Sequence, residues 1–394
     1  MNKSKNLKNK IQANQAPGEN TLSIHNERSF AEATGSVMPP IFTTSTFSHG
    51  NKEGFDYTRS GNPNFQILEN VLNSIEKSKY TTVFASGVSA VTAIVSSLKS
   101  GDTVLCEENL YGCTVRLFEE VFKKFGVKTE SVDFSNKNSF DLIRENRFSL
   151  IWIESPTNPL LKIIDIRKIC EEAKKVKIPV VVDNTFCTAL IQKPLELGAS
   201  LSLTSTTKYI NGHSDALGGS ISTNNKEWNK KLKFAQKSLG LQPSPFDTWL
   251  ITRGIKTLPL RLEKQVNNAF RLASLLSGNK SINSLRYPFD PYHPHINVAK
   301  SQMKSGGAII TANLKGSKKN IFYFCKNLRY FTLAESLGGI ESLVCHPATM
   351  THASVSSEVK LKLGINDSLV RFSIGCEDFE DLKFDLIEGL KNLS

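Results

Sequence analysis

Lys208 and Asp183 are the two residues whose types and positions point most directly to a chemistry. Asp183 ends an apolar run over residues 178–182, and Lys208 comes shortly after a second apolar run, 201–203. A lysine just past one buried strand can form a Schiff base with pyridoxal phosphate, and a carboxylate at the end of another can hold the pyridine nitrogen protonated. The pair predicts such a cofactor site, with a surface lysine after a strand as the alternative.

Short apolar runs alternate with helical patterns through the middle of the chain. Apolar residues recur at helical spacing over residues 67–75 and 115–122, which predicts two amphipathic helices. The uninterrupted runs are typical of strands buried on both faces, and they cover residues 82–84, 103–106, 150–153, 180–182, 201–203 and 219–222. This alternation predicts an α/β fold with a mostly parallel sheet and helices on both faces. Its ligands should bind at the carboxyl ends of the strands.

Residues that follow these strands supply the other parts of a cofactor site. Gly87 and Val88 follow the first strand and open a helix, so their backbone amides can bind a phosphate. The hydroxyls of Ser205 and Thr207 can add hydrogen bonds to it. Tyr111 follows the next strand and can stack on the pyridine ring. An ordinary strand-to-helix turn and a core tyrosine are the alternatives.

Arg371 interrupts an apolar run near the end of the chain. An arginine inside such a strand is usually paired. A substrate carboxylate held by two hydrogen bonds and a structural ion pair are both candidate partners.

The chain divides into three predicted segments. Residues 1–64 form an arm, of which 1–20 are disordered, residues 65–258 form the cofactor-binding domain, and residues 259–394 form a smaller α/β domain. In this last segment the pattern predicts a helix over residues 260–276, strands over 308–314, 331–333 and 369–374, and a final helix after residue 378.

The composition excludes several classes of protein. The net charge of +12 comes from basic residues scattered among acidic ones, so no nucleic-acid partner is predicted. No apolar run approaches the roughly 18 residues of a membrane helix. Seven cysteines without a C-x-x-C pair, and histidines without helix spacing, predict reduced thiols, no metal site and a cytoplasmic location.

Six ordered stretches of the chain resemble the Cys/Met-metabolism family of pyridoxal-phosphate enzymes, of the cystathionine γ-synthase and γ-lyase type. They are residues 57–63, 154–159, 182–186, 205–215, 334–343 and 370–375. The resemblance runs from about Val37 to the C-terminal helix. It implies an aspartate-aminotransferase-like fold and a homotetramer whose active sites are shared across a dimer.

The resemblance also implies a role for each matching residue. Lys208 would carry the cofactor and move protons, and Asp183 would face the pyridine nitrogen. The phosphate would be bound by Gly87, Val88, Ser205 and Thr207, with Tyr111 on the ring as a catalytic residue and with Tyr57 and Arg59 from a neighbouring subunit. The substrate α-carboxylate and the ring oxygen would meet Arg371, Ser336 and Asn158.

The choice of substrate depends on residues that differ within the family. Cys113 lies where methionine γ-lyases carry cysteine, whereas Glu335 resembles enzymes that act on cystathionine. A carboxylate there suits a second amino group, and methionine would leave its charge unpaired. Asp56, Arg116 and His346 resemble the synthase branch, and Arg116 can pair with a succinyl carboxylate or remain a solvated helix residue.

These features favour a cystathionine γ-synthase that joins an O-acyl-homoserine to cysteine. The principal alternative is a cystathionine γ-lyase or a methionine γ-lyase-like enzyme. A catalytically silent, basic RNA-binding paralogue is the non-enzyme alternative, and a yellow colour lost on borohydride reduction would distinguish the two classes.

Overall fold

A seven-stranded sheet dominates the computed structural model, which describes residues 17–25, 35–136, 138–353, 355–391 and 393. Its strands are β1 (Tyr80–Phe84), β2 (Thr103–Glu107), β3 (Lys128–Val132), β4 (Leu150–Glu154), β5 (Val180–Asp183), β6 (Leu201–Thr204) and β7 (Gly219–Thr223). The spatial order is β1-β7-β6-β5-β4-β2-β3. β7 runs antiparallel to both neighbours, and the other pairs are parallel.

The central strands form where they do because both of their faces are buried. Along β4, Trp152 packs into one core with Phe118, while Ile151 and Ile153 pack into a second core on the other face. Such strands read as continuous apolar runs, as predicted. The edge strand β3 is largely polar and partly exposed, so it carries no such signal.

Helices cover both faces of this sheet. They are α1 (Glu19–His25), α2 (Pro63–Glu76), α3 (Gly87–Val95), α4 (Gly112–Arg116), α5 (Ser139–Arg144), α6 (Ile166–Lys175), α7 (Thr188–Ile191), α8 (Lys226–Ser238) and α9 (Pro245–Ile255). The next helix, α10 (Leu258–Leu276), packs instead against the smaller C-terminal sheet. The apolar residues predicted to form one helical stripe over residues 115–122 are only partly buried. Phe118 is buried and Phe122 packs against the core, whereas Val115 and Val121 are exposed, and a π-helical turn over Leu117–Val121 interrupts the helix.

A smaller five-stranded sheet forms the C-terminal part. Its strands are β8 (Ile282–Arg286), β9 (Ile309–Leu314), β10 (Thr332–Leu333), β11 (Leu343–Cys345) and β12 (Leu369–Ser373), in the order β10-β11-β12-β9-β8. The accompanying helices are α11 (Ile296–Gln302), α12 (Lys318–Asn327), α13 (Ser357–Leu363) and α14 (Phe379–Lys391). The predicted α/β fold with a smaller C-terminal α/β part is confirmed, and the domain boundaries remain predictions.

The predicted arm is held by polar side chains. Asn62 donates to the carbonyl of Phe42 at 2.9 Å, and Trp249 Nε1 donates to the carbonyl of Pro39 at 2.8 Å. Most of the segment predicted as disordered, residues 1–20, lies outside the described residues. At its end the prediction is wrong, because α1 already begins at Glu19, whose carboxylate pairs with Lys304 at 2.9 Å. Among the described helices, none has the length and apolar character to cross a membrane.

Candidate active site

A cavity of about 490 Å³ opens at the carboxyl ends of β1, β2, β4, β5 and β6. Arg371 of β12 and residues 335–337 close it from the side of the smaller sheet. The cavity brings together most of the predicted site residues, namely Gly87, Val88, Tyr111, Arg116, Asn158, Asp183, Ser205, Thr207, Lys208, Glu335, Ser336 and Arg371, and Cys113 lines it as well.

Three predicted site residues and His346 do not line this cavity. Asp56, Tyr57 and Arg59 are exposed on the arm, where the Arg59 guanidinium lies 5.4 Å from the centre of the Tyr57 ring. His346 is fully buried, and its Nε2 lies 2.9 Å from the carbonyl oxygen of Asp367. This places His346 in the packing of the smaller sheet rather than at the cavity.

Lys208 faces the smaller sheet across the cavity. Its Nζ donates a hydrogen bond to Ser336 Oγ at 2.8 Å. Burial lowers the pKa of the Lys208 amine to about 8, and the positive charge of Arg371 acts in the same direction. Ser336 has a φ of 107°, which is strained for a residue with a side chain. This conformation aims both the hydroxyl and the carbonyl of Ser336 at basic side chains.

The pKa of Lys208 sets a pH dependence for cofactor uptake. We expect the apoprotein to react with pyridoxal phosphate faster as the pH rises through about 8, because the neutral amine is the form that attacks an aldehyde. An unperturbed lysine would place this rise about two pH units higher. Stopped-flow absorbance between pH 6.5 and 10 measures the profile, and a rate that begins to rise only near pH 10 would contradict the expectation.

Asp183 ends β5 as a buried carboxylate. Its Oδ1 accepts hydrogen bonds from the Thr185 hydroxyl at 2.6 Å and from the Thr185 backbone N–H at 3.0 Å. Burial raises the pKa of Asp183 despite these two bonds. In the part of the chain that the structure describes, no cationic side chain pairs with it. A carboxylate in this state fits a cationic ring nitrogen bound in the cavity.

The N-terminus of α3 forms a cradle beside the loop that carries Lys208. Ser86 caps the helix by accepting the Ser89 backbone N–H at 3.0 Å, which leaves the first two amides of the helix without an intrahelical partner. A Cβ at Gly87 would lie 3.0 Å from Ser205 Cβ, so glycine permits the close approach. The Thr207 hydroxyl donates to the carbonyl of Gly218 at 3.1 Å. The helix amides in this arrangement fit a phosphate, and the Thr207 hydroxyl could donate to it only by giving up its bond to Gly218.

Arg371 is buried, and two of its five N–H donors have protein partners. Nη1 donates to Asn158 Oδ1 at 2.8 Å, and Nη2 donates to the carbonyl of Ser336 at 2.7 Å. Nε is also buried and has no partner among the described residues. A buried donor without an acceptor is costly, so the guanidinium fits a carboxylate that enters the cavity. The alternative of a structural ion pair finds no support in the described ion pairs of the chain.

A second group of polar residues lines the cavity around Tyr111. Burial raises the pKa of the Tyr111 hydroxyl, and a hydrogen bond with Cys113 and the negative charge of Glu335 raise it further. Glu335 also acts electrostatically on Lys208, so its carboxylate faces the same space as the reactive amine. Arg116, the last residue of α4, is exposed and lines the cavity too.

Two further polar residues of the cavity carried no assigned role in the sequence. Thr185 donates both hydrogen bonds to Asp183. An aspartate commonly accepts the backbone N–H of the residue two positions later, so this spacing is a sequence signal that could have identified Thr185 as a site residue. Glu154 is buried at the end of β4 and accepts two backbone N–H groups. The sequence shows that Glu154 lies at the end of a predicted strand. Its hydrogen-bond partners could not be predicted, because they depend on the conformations of the loops that carry Tyr111 and Asn158.

A buried lysine, a buried carboxylate and a helix N-terminus around one cavity together fit pyridoxal phosphate. The site has an amine for the aldehyde, an acid for the ring nitrogen and donors for the phosphate. These features define the class as a pyridoxal-phosphate enzyme built on an α/β fold.

Comparisons with known proteins identify the family. The family model described as "Cys/Met metabolism PLP-dependent enzyme" matches residues 20–391. Cystathionine gamma-lyase from Dictyostelium discoideum is 42% identical over 374 residues, which cover 94% of this chain and 97% of the relative. The human cystathionine gamma-lyase is 43% identical over 359 residues, covering 90% and 89%. A solved structure of cystathionine gamma synthase from Xanthomonas oryzae pv. oryzae, in complex with aminoacrylate and cysteine, has a TM-score of 0.93 and 41% identity over 96% of this chain and 99% of that one.

The chain therefore belongs to the Cys/Met metabolism family of pyridoxal-phosphate-dependent enzymes. Its cofactor is pyridoxal 5'-phosphate, as predicted. Within the family it is a trans-sulfuration enzyme, whose relatives include both lyases and synthases.

Proposed function

We propose that the protein cleaves cystathionine by γ-elimination, giving cysteine, 2-oxobutanoate and ammonia with the uptake of one water. The observation that carries this proposal is the Glu335 carboxylate facing the same cavity as Lys208 and Arg371. Cystathionine is an amino acid at both ends. Arg371 suits its α-carboxylate, and Glu335 suits the distal ammonium, which methionine and O-acyl-homoserines lack. The two γ-lyase relatives also support this choice over the γ-synthase that the sequence favoured.

The second candidate is γ-replacement, in which cysteine displaces the acyl group of an O-acyl-homoserine. The similarity to the Xanthomonas γ-synthase supports it. Arg116 would then meet the acyl carboxylate, and Glu335 the ammonium of the incoming cysteine. Both reactions share the removal of the Cα proton and the later loss of a group from Cγ, so one set of residues around Lys208 serves either.

Different residues of the chain have different roles in the proposed reaction. The bound cofactor stores the electrons released when the substrate's Cα–H bond breaks. The Lys208 amine takes the Cα proton, and Ser336 Oγ orients that amine at 2.8 Å. Asp183 keeps a proton on the ring nitrogen, while Arg371 and Asn158 hold the α-carboxylate. Tyr111 stays protonated at neutral pH, since its pKa is raised, and can give a proton to the departing sulfur.

Tyr57 and Arg59 belong to this proposal as residues of a neighbouring subunit. Both are exposed and lie outside the cavity of their own chain. An arm that presents a tyrosine and an arginine outward is suited to completing the phosphate site of a second copy in a homotetramer. Asp56, whose Oδ1 accepts the backbone N–H of Tyr57 at 2.6 Å, would steady that arm.

Two parallel assays test the proposed reaction. The enzyme is incubated with cystathionine alone, following cysteine and 2-oxobutanoate, and separately with cysteine plus O-succinyl- or O-acetyl-homoserine, following cystathionine. The proposal expects the larger kcat/KM for cleavage. Efficient condensation without cleavage would replace it by the γ-synthase, and release of pyruvate and homocysteine would indicate β-elimination instead.

Glu335 should determine the preference for a substrate with a distal ammonium. We expect Glu335→Gln to lower kcat/KM for cystathionine by roughly 3- to 30-fold, mostly through KM, because an exposed charge contributes modestly to binding. Elimination from an O-acyl-homoserine without cysteine is the control, since that substrate has no distal ammonium and should react as before. An equal loss with both substrates would show that Glu335 does not select between them.

A further inference from the structure

Glu154 joins two loops of the cavity through one side chain. Its Oε2 accepts the backbone N–H of Tyr111 at 2.8 Å, and its Oε1 accepts the backbone N–H of Asn158 at 2.8 Å. Tyr111 lies between β2 and α4, whereas Asn158 lies in the loop that follows β4. The carboxylate therefore fixes the distance between two segments that arise from different strands.

We propose that Glu154 is a positioning residue that sets the Tyr111 ring and the Asn158 amide relative to each other around the cofactor. The proposal rests on the stacking and carboxylate-binding roles proposed above for these two residues. Asn158 Oδ1 in turn accepts a hydrogen bond from Arg371 Nη1 at 2.8 Å. By holding Asn158 in place, Glu154 therefore also helps to position the guanidinium of Arg371. Glu154 thus couples the group that faces the cofactor ring to the groups that face the substrate.

The two contacts fit a carboxyl group. Both partners are N–H donors, and a carboxyl group has an oxygen that can accept from each of them. Glutamine has the same shape but a single oxygen, so its NH₂ group would face one of the two N–H groups. Burial raises the pKa of Glu154 well above its ordinary range, and the nearby Asp183 carboxylate raises it further. The two hydrogen bonds that Glu154 accepts offset the free-energy cost of burying its polar side chain.

Glu154→Gln tests the proposal, with Glu107→Gln as the matched control. Glu107 is the last residue of the adjacent strand β2, is equally buried, and accepts the backbone N–H of Phe134 at 3.0 Å, but it does not line the cavity. Four quantities are measured for each variant: the visible circular dichroism of the bound cofactor, the dissociation constant for pyridoxal phosphate, kcat and KM. Thermal melting reports any general loss of stability.

We expect Glu154→Gln to alter the cofactor's circular dichroism and to lower kcat/KM roughly 10- to 100-fold, the scale of one buried donor left unpaired. Glu107→Gln should lower the melting temperature and leave the cofactor signal unchanged. In a Tyr111→Ala, Asn158→Ala background, Glu154→Gln should have little further effect, because the groups it positions are gone.

Two results would overturn the role of Glu154. One is a Glu154→Gln enzyme whose cofactor signal and kinetics match the wild type. The other is a full additional loss in the double-alanine background, which would mark Glu154 as purely structural. If the glutamine variant does not fold, Glu154→Asp keeps the carboxyl group but shortens its reach, and it should reproduce the spectral change. Failure of the cystathionine assay would instead count against the proposed reaction, since the spectral measurements need no substrate.

Discussion

Replacing Lys208 with alanine should abolish turnover while the protein still binds pyridoxal phosphate. We expect kcat to fall by at least ~10⁴-fold, because the amine both attaches the cofactor and moves the Cα proton. The donors around the phosphate and the Asp183 carboxylate remain, so the cofactor should bind but leave on dialysis. Borohydride reduction should fix the cofactor to the wild type and not to the variant.

Two further variants make this result specific to the amine. Lys208→Arg keeps the positive charge but stays protonated, so it should be as inactive as the alanine variant. Lys360→Ala is the control, since the Lys360 amine is also hydrogen-bonded, to the carbonyl of Ala348 at 3.2 Å, and does not line the cavity. That variant should keep its activity. Turnover within tenfold of the wild type in Lys208→Ala would remove Lys208 from the chemistry.

The strands that carry the site could be predicted because burial leaves a signal in the sequence. β4 and β5 are apolar on both faces, and β6 is fully buried with Leu201 and Leu203 on its apolar face; each strand ends at the cavity with a polar residue or loop. The topology of parallel strands then placed these ends together. The fold class and the cofactor followed from that argument and from the ordered motifs, and the structure and comparisons confirm both.

Other elements left no comparable signal. β3 and β8 are partly exposed and largely polar, and β11 has three residues, so each lacks a recognisable apolar pattern. The π-helical turn that follows α4 breaks the helical period, and of the expected stripe only Phe118 and Phe122 pack against the core.

The contacts within the site were the least predictable part. Arg371 and Asn158 are 213 residues apart in sequence, and only the packing of the smaller sheet against the larger one brings them together. The partners of Glu154 are backbone N–H groups, which every residue except proline has, so no side-chain pattern could indicate them. The residue types therefore predicted which side chains would lie in the site, whereas the hydrogen bonds that hold those side chains depend on the tertiary structure.

The guanidinium of Arg371 is the second group on which activity should depend strongly. We expect Arg371→Lys to lower kcat/KM for cystathionine by roughly 10²- to 10³-fold, with KM rising, because the buried site needs several donors in one plane. Lysine reaches one partner at most, and either Asn158 or the carbonyl of Ser336 would lose its bond. The substrate α-carboxylate would then face a single charge without the buried Nε–H.

A matched substitution separates this loss from a general effect of removing an arginine. Arg286 donates to the carbonyl of Leu160 at 3.3 Å and does not line the cavity. Because it lies outside the site, Arg286→Lys should keep KM within about twofold of the wild-type value. Arg371→Lys should also move the pH profile of cofactor uptake little, because a positive charge remains near Lys208. Arg371→Gln should instead shift that profile to higher pH, since the neighbouring positive charge that depresses the pKa of the amine is gone. An unchanged KM in Arg371→Lys would show that the α-carboxylate binds elsewhere, and the buried Nε–H would then need another acceptor.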